Sequence, residues 1–597
     1  MEAQNMQTRR VYYYTPGDLE DLDEFREASA KAKAAGITHM VVGQLPRSLW
    51  MWDLDRSDPY CNWMMGHTPL FRLACPPQLQ KYFPMDFFEA GAKLVEKRMD
   101  ILRELGMGGA IFSNEPFWLP EQAFLDHPAW RGPRMDHPRR SRNWYYAPSV
   151  DNQEVLDMYA WSAREIGRRY GIDIFHIKSN DAGGGLEWSN GTYVGPNGRS
   201  DTKNNSMVTR VSRFVQTIAA GLRESCPDAV VNFNTNIGFK LEEVGAGEAW
   251  HELQMDRVII NDKDRSGKNT FIVGPSERNP NVKGMTDFVN LTGFLENTQR
   301  AEGKTVLFGS GPENLDTILT YLRKLGENPT HGVLDRTRVM HETAKELVGA
   351  EGADLLVDAW FNIHEGLQHF GHSGLDVIMY GIVHQRWINR PFVLFPEELK
   401  PEEYEYYRPY QFQALGEKQA NDLLDMQNIE CLRGFSAAFL VSESARKATG
   451  SFNKALDKLE DLCDLLTEEA AKPYELLQRC IRVYEHLMRT CVNAAKFQTL
   501  VDDIDYDAEP ALDCRWPTRN DPRIEQYQNI TRDEIDNAYE TADLLEGHLS
   551  EVLRIAAPGC EDIFTFGPDL VSQIRRKAEI MLAHQLDGNR VFERHNI

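Results

Sequence analysis

The sequence has no long hydrophobic run and a shortage of basic residues. No stretch approaches the ~18–20 consecutive apolar residues that cross a membrane, and residues 1–10 are polar and lack the apolar core of a signal peptide. The 597 residues contain 66 Lys and Arg against 90 Asp and Glu, a formal net charge of −24. Nucleic acids and anionic membranes both require basic surface on a partner. We therefore expect neither to be the main partner.

The cysteines are also not spaced in a way that would give them a structural role. The nine cysteines include no Cys-x-x-Cys pair, and several fall on apolar faces of predicted helices. This distribution favours buried, reduced thiols over a disulfide framework, and we expect a cytoplasmic protein. The hydrophobic fraction of 42% is ample for a large core. At about 150 residues per domain, the length suggests two to four domains.

Two motifs that would bind a cofactor or a metal are incomplete. The triple glycine at residues 183–185 lacks the spacing of dinucleotide-binding and phosphate-binding loops. His364 and Glu365 are followed by His369, one residue too far for the zinc motif, and positions i and i+5 do not share a helix face. We therefore expect no cofactor and no metal site.

Up to residue 336, short β-branched or aromatic runs alternate with amphipathic helical stretches. The predicted strands are residues 11–14, 39–43, 109–113, 174–179, 230–234, 257–261, 305–309 and 331–335. Eight strand–helix units predict a (β/α)8 TIM barrel over residues 1–336. Residues 337–597 have the helical period and predict an α-helical C-terminal domain, with an extended segment near residues 386–400.

The candidate catalytic residues follow predicted strands, because barrel enzymes place their chemistry at the carboxyl ends of strands. Glycoside hydrolysis needs two carboxyl groups, one of them protonated to assist the leaving group. Asp181 is the candidate general acid, since three glycines let substrate approach and nearby aromatic rings would lower the local polarity. The candidate carboxylates after the third, fourth, sixth and seventh predicted strands are Glu115, Asp181, Asp262 and Glu313.

These carboxylates also have simpler interpretations. Asp181 could be a loop carboxylate that accepts backbone N–H bonds, and Glu115 a strand-end residue that orients other side chains. Asp262 and Glu313 are candidates for the opposing base, but isolated acids are more often surface residues or helix caps. Glu187 is a supporting or alternative carboxylate.

Amides, aromatic rings and basic residues near these acids would bind a sugar. Alternation in the fifth predicted strand puts three asparagines on one face. Flat rings suit the C–H faces of pyranoses, and arginine can clamp a carboxylate or sulfate. Long loops could instead use their tryptophans as a small core. The predicted substrate-binding residues are Asn180, Lys178, Glu187, Trp188, Tyr193, Trp118, Asn232, Asn234, Asn236, Arg139, Arg386 and Arg390.

The segment 177–183, Ile-Lys-Ser-Asn-Asp-Ala-Gly, followed by Tyr-Val-Gly-Pro-Asn-Gly at 193–198, resembles the strand-four signature of α-glucuronidase and hexosaminidase-like barrel hydrolases. In α-glucuronidases a comparable run carries the general acid, which the resemblance assigns to Asp181. Hexosaminidases end this strand with two adjacent acids, whereas this chain has Asn180 and Asp181. Asn114-Glu115-Pro116 resembles the acid/base motif of the large retaining clan, although there it ends strand four and here it follows the third predicted strand.

Together these patterns predict an exo-acting glycoside hydrolase for small glycosides or oligosaccharides, with a carboxylate acid/base mechanism. A barrel lyase or isomerase acting on uronic-acid sugars is one alternative, since it would use a base and an arginine clamp. A non-catalytic carbohydrate-binding protein is another, and it would keep the aromatic residues without opposed carboxylates. A homodimer is a further expectation, because large helical domains often dimerise.

Overall fold

The computed structural model divides the chain into two compact units. The sheet unit comprises Met1–Leu54, Tyr60–Ser276 and Leu291–Val339, and the helical unit comprises Asp55–Pro59, Glu277–Asn290 and Met340–Ile597. The residues that the structure describes are 10–14, 21–49, 69–135, 143–179, 185–189, 197–234, 258–260, 271–273, 282–299, 305–309, 314–327, 332–371, 388–410, 435–502, 504, 522–555 and 566–592.

The sheet unit is built on eight parallel strands. The strands in chain order are β1 (Arg10–Tyr14), β2 (His39–Val41), β3 (Gly108–Asn114), β4 (Arg131–Arg134), β5 (Tyr146–Pro148), β6 (Ile174–Lys178), β7 (Val230–Asn234), β8 (Val258–Ile260), β9 (Phe271–Val273) and β10 (Thr305–Gly309). The parallel sheet has the order β8-β7-β6-β3-β2-β1-β10-β9, and β4 and β5 form a separate antiparallel ribbon. The last strand thus returns to pair with the first.

The helices follow the same alternation up to residue 327, and the named elements described after it are all helical. The helices up to residue 327 are α1 (Leu22–Ala34), α2 (Leu70–Leu73), α3 (Met85–Glu104), α4 (Glu121–Asp126), α5 (Gln153–Tyr170), α6 (Met207–Arg223), α7 (Phe288–Gln299) and α8 (Leu315–Glu327). The later helices are α9 (Val333–Gly371), α10 (Pro401–Tyr407), α11 (Phe435–Leu465), α12 (Glu468–Asp502), α13 (Pro522–Leu545), α14 (Leu549–Val552), α15 (Leu570–Ala583) and α16 (Asp587–Phe592). None of the described helices is long and apolar enough to span a bilayer.

Local sequence sets the ends of the helices. The side chain of Asn152 accepts the backbone N–H of Val155 at 3.2 Å and begins α5, which ends at Gly171 in the left-handed conformation (φ 68°). A capping amide and a C-terminal glycine are what a helix needs for its unpaired backbone groups. Helix α9 is interrupted at Gly349, whose φ of 80° and ψ of 175° are not helical.

The predicted strand at residues 331–335 is wrong, because α9 begins at Val333. Helical spacing of apolar residues continues from there, and it outweighs the single β-branched residue of the segment. The remaining parallel strand is β9, three residues long, which the sequence analysis did not identify. The other seven predicted strands overlap observed strands, and the bounds at 230–234 and 305–309 are those of β7 and β10.

Packing identifies the two faces of the sheet. Phe233 on β7 contacts Phe214 on α6 with ring centroids 6.1 Å apart, so Phe233 faces the helices. Side chains alternate between faces along a strand, and the parallel register aligns position 233 with 177 and 113. Positions 112, 176 and 232, and then 114, 178 and 234, therefore lie on the opposite face, which we call the inner face.

The helical unit has a core of aromatic and aliphatic side chains between long helices. Tyr484 on α12 contacts Phe452 on α11 at 5.6 Å and Phe370 on α9 at 6.5 Å between ring centroids. Residues 392–395, in the segment predicted to be extended, form neither helix nor strand, and a 3₁₀ turn follows at Pro396–Glu398. The unit boundary lies within α9, after Val339, and the predicted boundary at residue 336 lies in the same helix.

Candidate active site

Four polar side chains occupy the inner face of three adjacent strands. Asn114 on β3 is in register with Lys178 on β6, and His176 on β6 is in register with Asn232 on β7. Neighbouring strands are about 4.8 Å apart, so these side chains are close neighbours. We call Asn114, His176, Lys178 and Asn232 the inner row. It lies at the carboxyl end of the sheet, where barrel and open-sheet enzymes bind their substrates.

The inner row is buried and mostly uncharged. Burial, with the nearby charge of Lys178, lowers the pKa of His176 to about 3, so the imidazole is neutral at pH 7. His176 also contacts the ring of Phe112 at 4.7 Å. Asn114 and Asn232 are both buried. Amides and a neutral imidazole can donate and accept hydrogen bonds, as recognition of sugar hydroxyls requires, and Lys178 provides a single positive charge.

Glu115 follows the inner row in sequence but points to the other face. Its carboxylate accepts the backbone N–H of Leu70 at 2.5 Å, the hydroxyl of Ser113 at 3.2 Å and the hydroxyl of Tyr159 at 3.0 Å. Tyr159 lies on α5, in the helix layer, and Glu115 is 0% exposed. The carboxylate therefore joins α2, β3 and α5.

Desolvation raises the pKa of Glu115 to about 7, although its hydrogen bonds act in the opposite direction, that from Leu70 most strongly. The donors around it are uncharged and compensate only part of the cost of burial. Of the two roles that the sequence left open for Glu115, its contacts favour positioning. It fixes the end of β3 against α2 and α5.

Glu187, beyond β6, has a comparable structural environment. It is 0% exposed and accepts hydrogen bonds from the hydroxyls of Ser149 and Thr202 and from the backbone N–H of Arg199 at 3.0 Å. These donors come from two separate segments of the chain, one around Ser149 and one at residues 199–202. The carboxylate thus joins the end of the β4–β5 ribbon to the loop that follows β6.

Trp188 also holds this loop. Its indole N–H donates to the carbonyl of Arg199 at 3.0 Å and to the hydroxyl of Thr202 at 3.1 Å. Gly198 packs on the ring, because a Cβ at that position would lie 2.6 Å from the indole nitrogen. Trp188 has a left-handed φ of 63°, which is rare for a residue with a side chain. Part of its ring is therefore engaged in loop structure.

Gly185 and Asn197, which lie on either side of residues 190–196 in sequence, contact the turn after β3 and the β4–β5 ribbon. Gly185 has a φ of 64°, and a Cβ there would lie 2.7 Å from the carbonyl oxygen of Pro116, so only glycine fits. The side-chain amide of Asn197 exchanges two hydrogen bonds of 2.9 Å with the backbone of Arg134. The loop after β6 is therefore held on one side by the turn after β3 and on the other by the ribbon.

Two more predicted binding residues are described. Trp118 is buried and contacts Phe117 and Tyr145, with ring centroids 6.2 and 5.9 Å away, as expected of a small loop core. Arg390 belongs to the helical unit, is buried, and donates to the hydroxyl of Tyr407 at 2.7 Å.

The remaining predicted site residues lie outside the described residues, and their roles stay predictions. For Asn234 the structure describes the backbone, which is in register with Lys178, but not the side chain. The predicted residues outside the description are Asp181, Asp262, Glu313, Asn180, Tyr193, Asn236, Arg139 and Arg386.

Sequence reasoning missed two members of the inner row and an exposed ring. Asn114 and His176 join Lys178 and Asn232 only through the parallel register, which a single sequence does not contain. Trp144, beside β5, is 72% exposed, with the guanidinium of Arg134 over its ring at 4.8 Å.

The incomplete zinc motif has a different explanation in the helical unit. Nδ1 of His364 lies 2.8 Å from a carboxylate oxygen of Asp287, and Gln368 donates to the same carboxylate at 3.2 Å. The hydrogen bond with Asp287 raises the pKa of His364. Within the described ranges there is no group of three or more His, Cys, Asp or Glu residues that could hold a metal ion.

Several solved structures to which this chain is similar are glycoside hydrolases. A family 138 glycoside hydrolase that targets the pectin rhamnogalacturonan II matches 98% of this chain and 84% of its own, at 10% identity and a TM-score of 0.44. An O-GlcNAc hydrolase variant from Thermobaculum terrenum matches 98% and 96%, at 9% and 0.32. An α-galactosidase from Lactobacillus brevis matches 54% and 41%, at 12% and 0.32. No family model and no curated protein sequence matches. Because the TM-scores are below 0.5, the function is argued from this chain's own residues.

Proposed function

We propose that this protein is an exo-acting glycoside hydrolase with its active site at the carboxyl ends of β3, β6 and β7. The observation that carries the proposal is the inner row. It places amides, a neutral imidazole and one lysine together on the sheet face opposite the helices. Such a set binds hydroxyl groups and one negative charge, and it precedes directly the segment that contains Asp181.

The fold we propose is a closed (β/α)8 barrel. The pairing of β10 with β1 supports it, since the last strand of an open sheet has no reason to return to the first. Closure requires β8 to pair with β9, which are the edges of the sheet among the described residues. In a closed barrel the inner face is the interior, where layers of side chains fill the centre and polar residues line the mouth.

Asp181 is the proposed general acid. It lies three residues after Lys178, at the end of β6, and four before Gly185, which packs on Pro116. Glu187 and Trp188, after Asp181 in sequence, are held by hydrogen bonds to other segments. Glu115 holds the turn after β3, and Gly185 packs on that turn. We therefore assign Glu115 and Glu187 as positioning residues, because a catalytic carboxylate must be held within a fraction of an ångström of its target.

Asp262 and Glu313 are the proposed sources of the opposing carboxylate. Asp262 follows the end of β8 by two residues and Glu313 follows the end of β10 by four. In a closed barrel β10 lies across from β6, so Glu313 has the position of an opposed group. A separation from Asp181 of about 5–5.5 Å would give retention and about 6.5–9.5 Å inversion.

The proposed substrates are small glycosides of acidic sugars in the cytoplasm. Lys178 is the cation of the inner row and fits a sugar carboxylate, while the neutral amides around it fit hydroxyl groups. A uronide is therefore the first substrate to test.

The decisive experiment compares wild type and Asp181→Asn on nitrophenyl and alkyl glycosides of the same sugars, uronides included. Loss of the general acid should lower kcat on the alkyl glycoside by about 10²–10⁴-fold, and less on the nitrophenyl glycoside, because nitrophenolate leaves without protonation. Asp228→Asn, before β7 at the opposite end of the sheet, is the matched control and should keep full activity.

Full activity of Asp181→Asn on the alkyl glycoside would remove Asp181 from the mechanism. An unsaturated product, detected by its ultraviolet absorbance, would instead identify a lyase. The anomeric configuration of the first product, measured by NMR, then distinguishes retention from inversion, and Asp262→Asn and Glu313→Gln identify the second carboxylate by which of them abolishes turnover.

A further inference from the structure

The helical unit contains a cavity of its own. Helices α11, α12 and α13 line an open pocket of about 450 Å³, within the range of sites that bind small molecules. Most of its described lining residues are polar or charged, with Ala445, Met488 and Val492 as the apolar ones, although apolar atoms form most of its accessible surface. The polar lining residues are Ser442, Arg446, Thr449, Asn453, Glu485, His486, Arg489, Asn493, Lys496 and Asp533.

One wall of this cavity is rigid. The guanidinium of Arg489 donates to Asp533 at 2.7 and 3.2 Å and to Glu540 at 2.7 Å. Asn493 donates to Asp533 at 2.7 Å and to the buried Glu534 at 3.0 Å. These side chains are held before any ligand arrives, which lowers the entropy that binding would cost.

Other lining groups have hydrogen-bonding capacity left over. One carboxylate oxygen of Glu485 is buried without a hydrogen-bond partner among the described residues, and burial raises the pKa of this carboxyl to about 7. Lys496 is exposed and forms no ion pair within the described part of the chain. Arg446 pairs with Glu443 on its own helix, in an exposed contact of the kind that contributes little. The unsatisfied oxygen of Glu485 and the exposed ammonium of Lys496 therefore remain for a ligand, which would also have to displace Glu443 from Arg446.

The charges restrict the ligand. Arg446 and Lys496 attract an anion, whereas Glu485 and Asp533 in the same lining repel one that carries two charges. A single carboxylate therefore fits better than a phosphate. The unsatisfied oxygen of Glu485 accepts a hydroxyl hydrogen, and Asn453 and Asn493 can bind further hydroxyls. The imidazole of His486 is the one aromatic ring among the described lining residues, so stacking of a nucleobase or an aryl group between rings is disfavoured.

We propose that this cavity binds a sugar acid, meaning a hydroxylated monocarboxylate of monosaccharide to disaccharide size. The carboxylate lies near Lys496 and Arg446, and hydroxyl groups reach Glu485. Glu485 and Lys496 are eleven residues apart on α12, a rise of about 16 Å, and both line the same pocket. The site consists of residues of the helical unit alone, so it does not depend on the glycosidase proposal.

The test measures binding to the full chain by titration calorimetry with three probes of one ring size. D-glucuronate is a monoanion, D-glucose is neutral and glucose 6-phosphate is a dianion, and glucuronate should bind most tightly. Lys496→Met and Glu485→Met should each weaken glucuronate binding about tenfold, the cost of one lost hydrogen bond to a charged group. Lys472→Met, which removes an exposed lysine of the same helix that pairs with Glu469, should change nothing.

The proposal is overturned if glucuronate saturates no site, if both cavity variants bind it as wild type does, or if glucose or glucose 6-phosphate binds as tightly as glucuronate. Glucuronate binding that responds only to Asp181→Asn would belong to the barrel site and would equally refute this one. Thermal unfolding of each variant confirms that it is folded, and Lys496 is exposed, so its substitution leaves the core intact.

Discussion

Two buried carboxyl groups, Glu534 in the helical unit and Glu115 in the sheet unit, are compensated differently. In the helical unit, Lys577 and Glu534 form an ion pair at 2.5 Å with side chains 1% and 0% exposed. Glu534 also accepts the hydroxyl of Thr490 at 2.8 Å. In the sheet unit, Glu115 is as deeply buried but accepts hydrogen bonds from uncharged donors. Arg72, two residues after the N–H that binds Glu115, lies against aromatic rings.

The difference shows how environment sets the protonation of one residue type. An opposite charge compensates a carboxylate for lost water, whereas neutral donors do so only in part. The pKa of Glu115 accordingly rises to about 7, and burial lowers the pKa of Arg72 to about 9. The region next to the candidate active site therefore contains one carboxyl, Glu115, that titrates near physiological pH, and such groups concentrate at functional sites.

The largest expected effect comes from breaking the ion pair. Lys577→Met leaves Glu534 buried without its cation, and we expect the free energy of unfolding of the helical unit to fall by about 3–5 kcal/mol. Lys577 also donates to the carbonyl of Ile388 at 2.8 Å, and that bond is lost too. Chemical denaturation followed by circular dichroism measures the change. Arg576→Met, the next residue on α15, removes an exposed charge and should cost under about 1 kcal/mol.

A second variant separates loss of the pair from loss of packing. Lys577→Met combined with Glu534→Gln has no unpaired buried charge, and it should recover part of the stability. Equal losses in the single and double variants would mean that packing of the lysine stem, and not the charge, explains the effect.

The second effect is a pH dependence at Glu115. Its pKa is 4.5 in the unfolded chain and about 7 in the fold, so between these values the folded state holds a proton that the unfolded state has released. The stability that this group contributes is present below pH 4.5 and is lost as the pH rises to about 7. At about 1.4 kcal/mol per pH unit, the loss is about 3 kcal/mol.

Glu115→Gln removes this titration. The difference in unfolding free energy between wild type and Glu115→Gln should therefore fall from pH 5 to pH 7 and then level off. Glu121→Gln, which removes an exposed carboxyl on α4, is the matched control for removing a carboxyl as such. A flat difference for Glu115→Gln would show that the carboxyl keeps its ordinary pKa in the fold.

The sequence predicts those parts of the fold that local patterns determine. Val230–Asn234 and Thr305–Gly309 are runs of β-branched and aromatic residues, and their bounds follow from these runs. Phe271–Val273 is too short for its alternation to be recognised. The strand predicted at 331–335 was wrong because the first residues of that segment lack the helical period, which begins only at Val333.

The candidate site depends on contacts that local patterns do not contain. Alternation alone puts Glu115 on the same face as Ser113, but only the contact of Phe233 with Phe214 shows that this face meets the helices. Glu187 depends on Ser149, which is 38 residues away. The sequence predicts polar residues after the strands, but it does not show which of them are held in contacts with other elements, as Glu115 and Glu187 are.

The smallest expected effect concerns Arg72, a buried arginine of the sheet unit. Arg72 is 3% exposed, and none of its three guanidinium nitrogens has a hydrogen-bond partner among the described residues. Its guanidinium lies 4.7 and 4.2 Å from the ring centroids of Phe87 and Phe88. A cation–π contact contributes about 0.5–2 kcal/mol, which does not exceed the cost of burying an unpaired charge.

Arg72→Met should therefore change the free energy of unfolding of the sheet unit by less than about 1 kcal/mol, because methionine fills the space and contacts aromatic rings well. Arg210→Met is the matched comparison. Arg210 is also fully buried but donates two hydrogen bonds, of 2.6 and 2.9 Å, to the buried Asp151, so the same substitution leaves an unpaired carboxylate and should cost about 3–5 kcal/mol. Equal losses of unfolding free energy in the two variants would mean that the guanidinium of Arg72 has an anionic partner in solution. Paired and unpaired buried arginines would then not differ in what their removal costs.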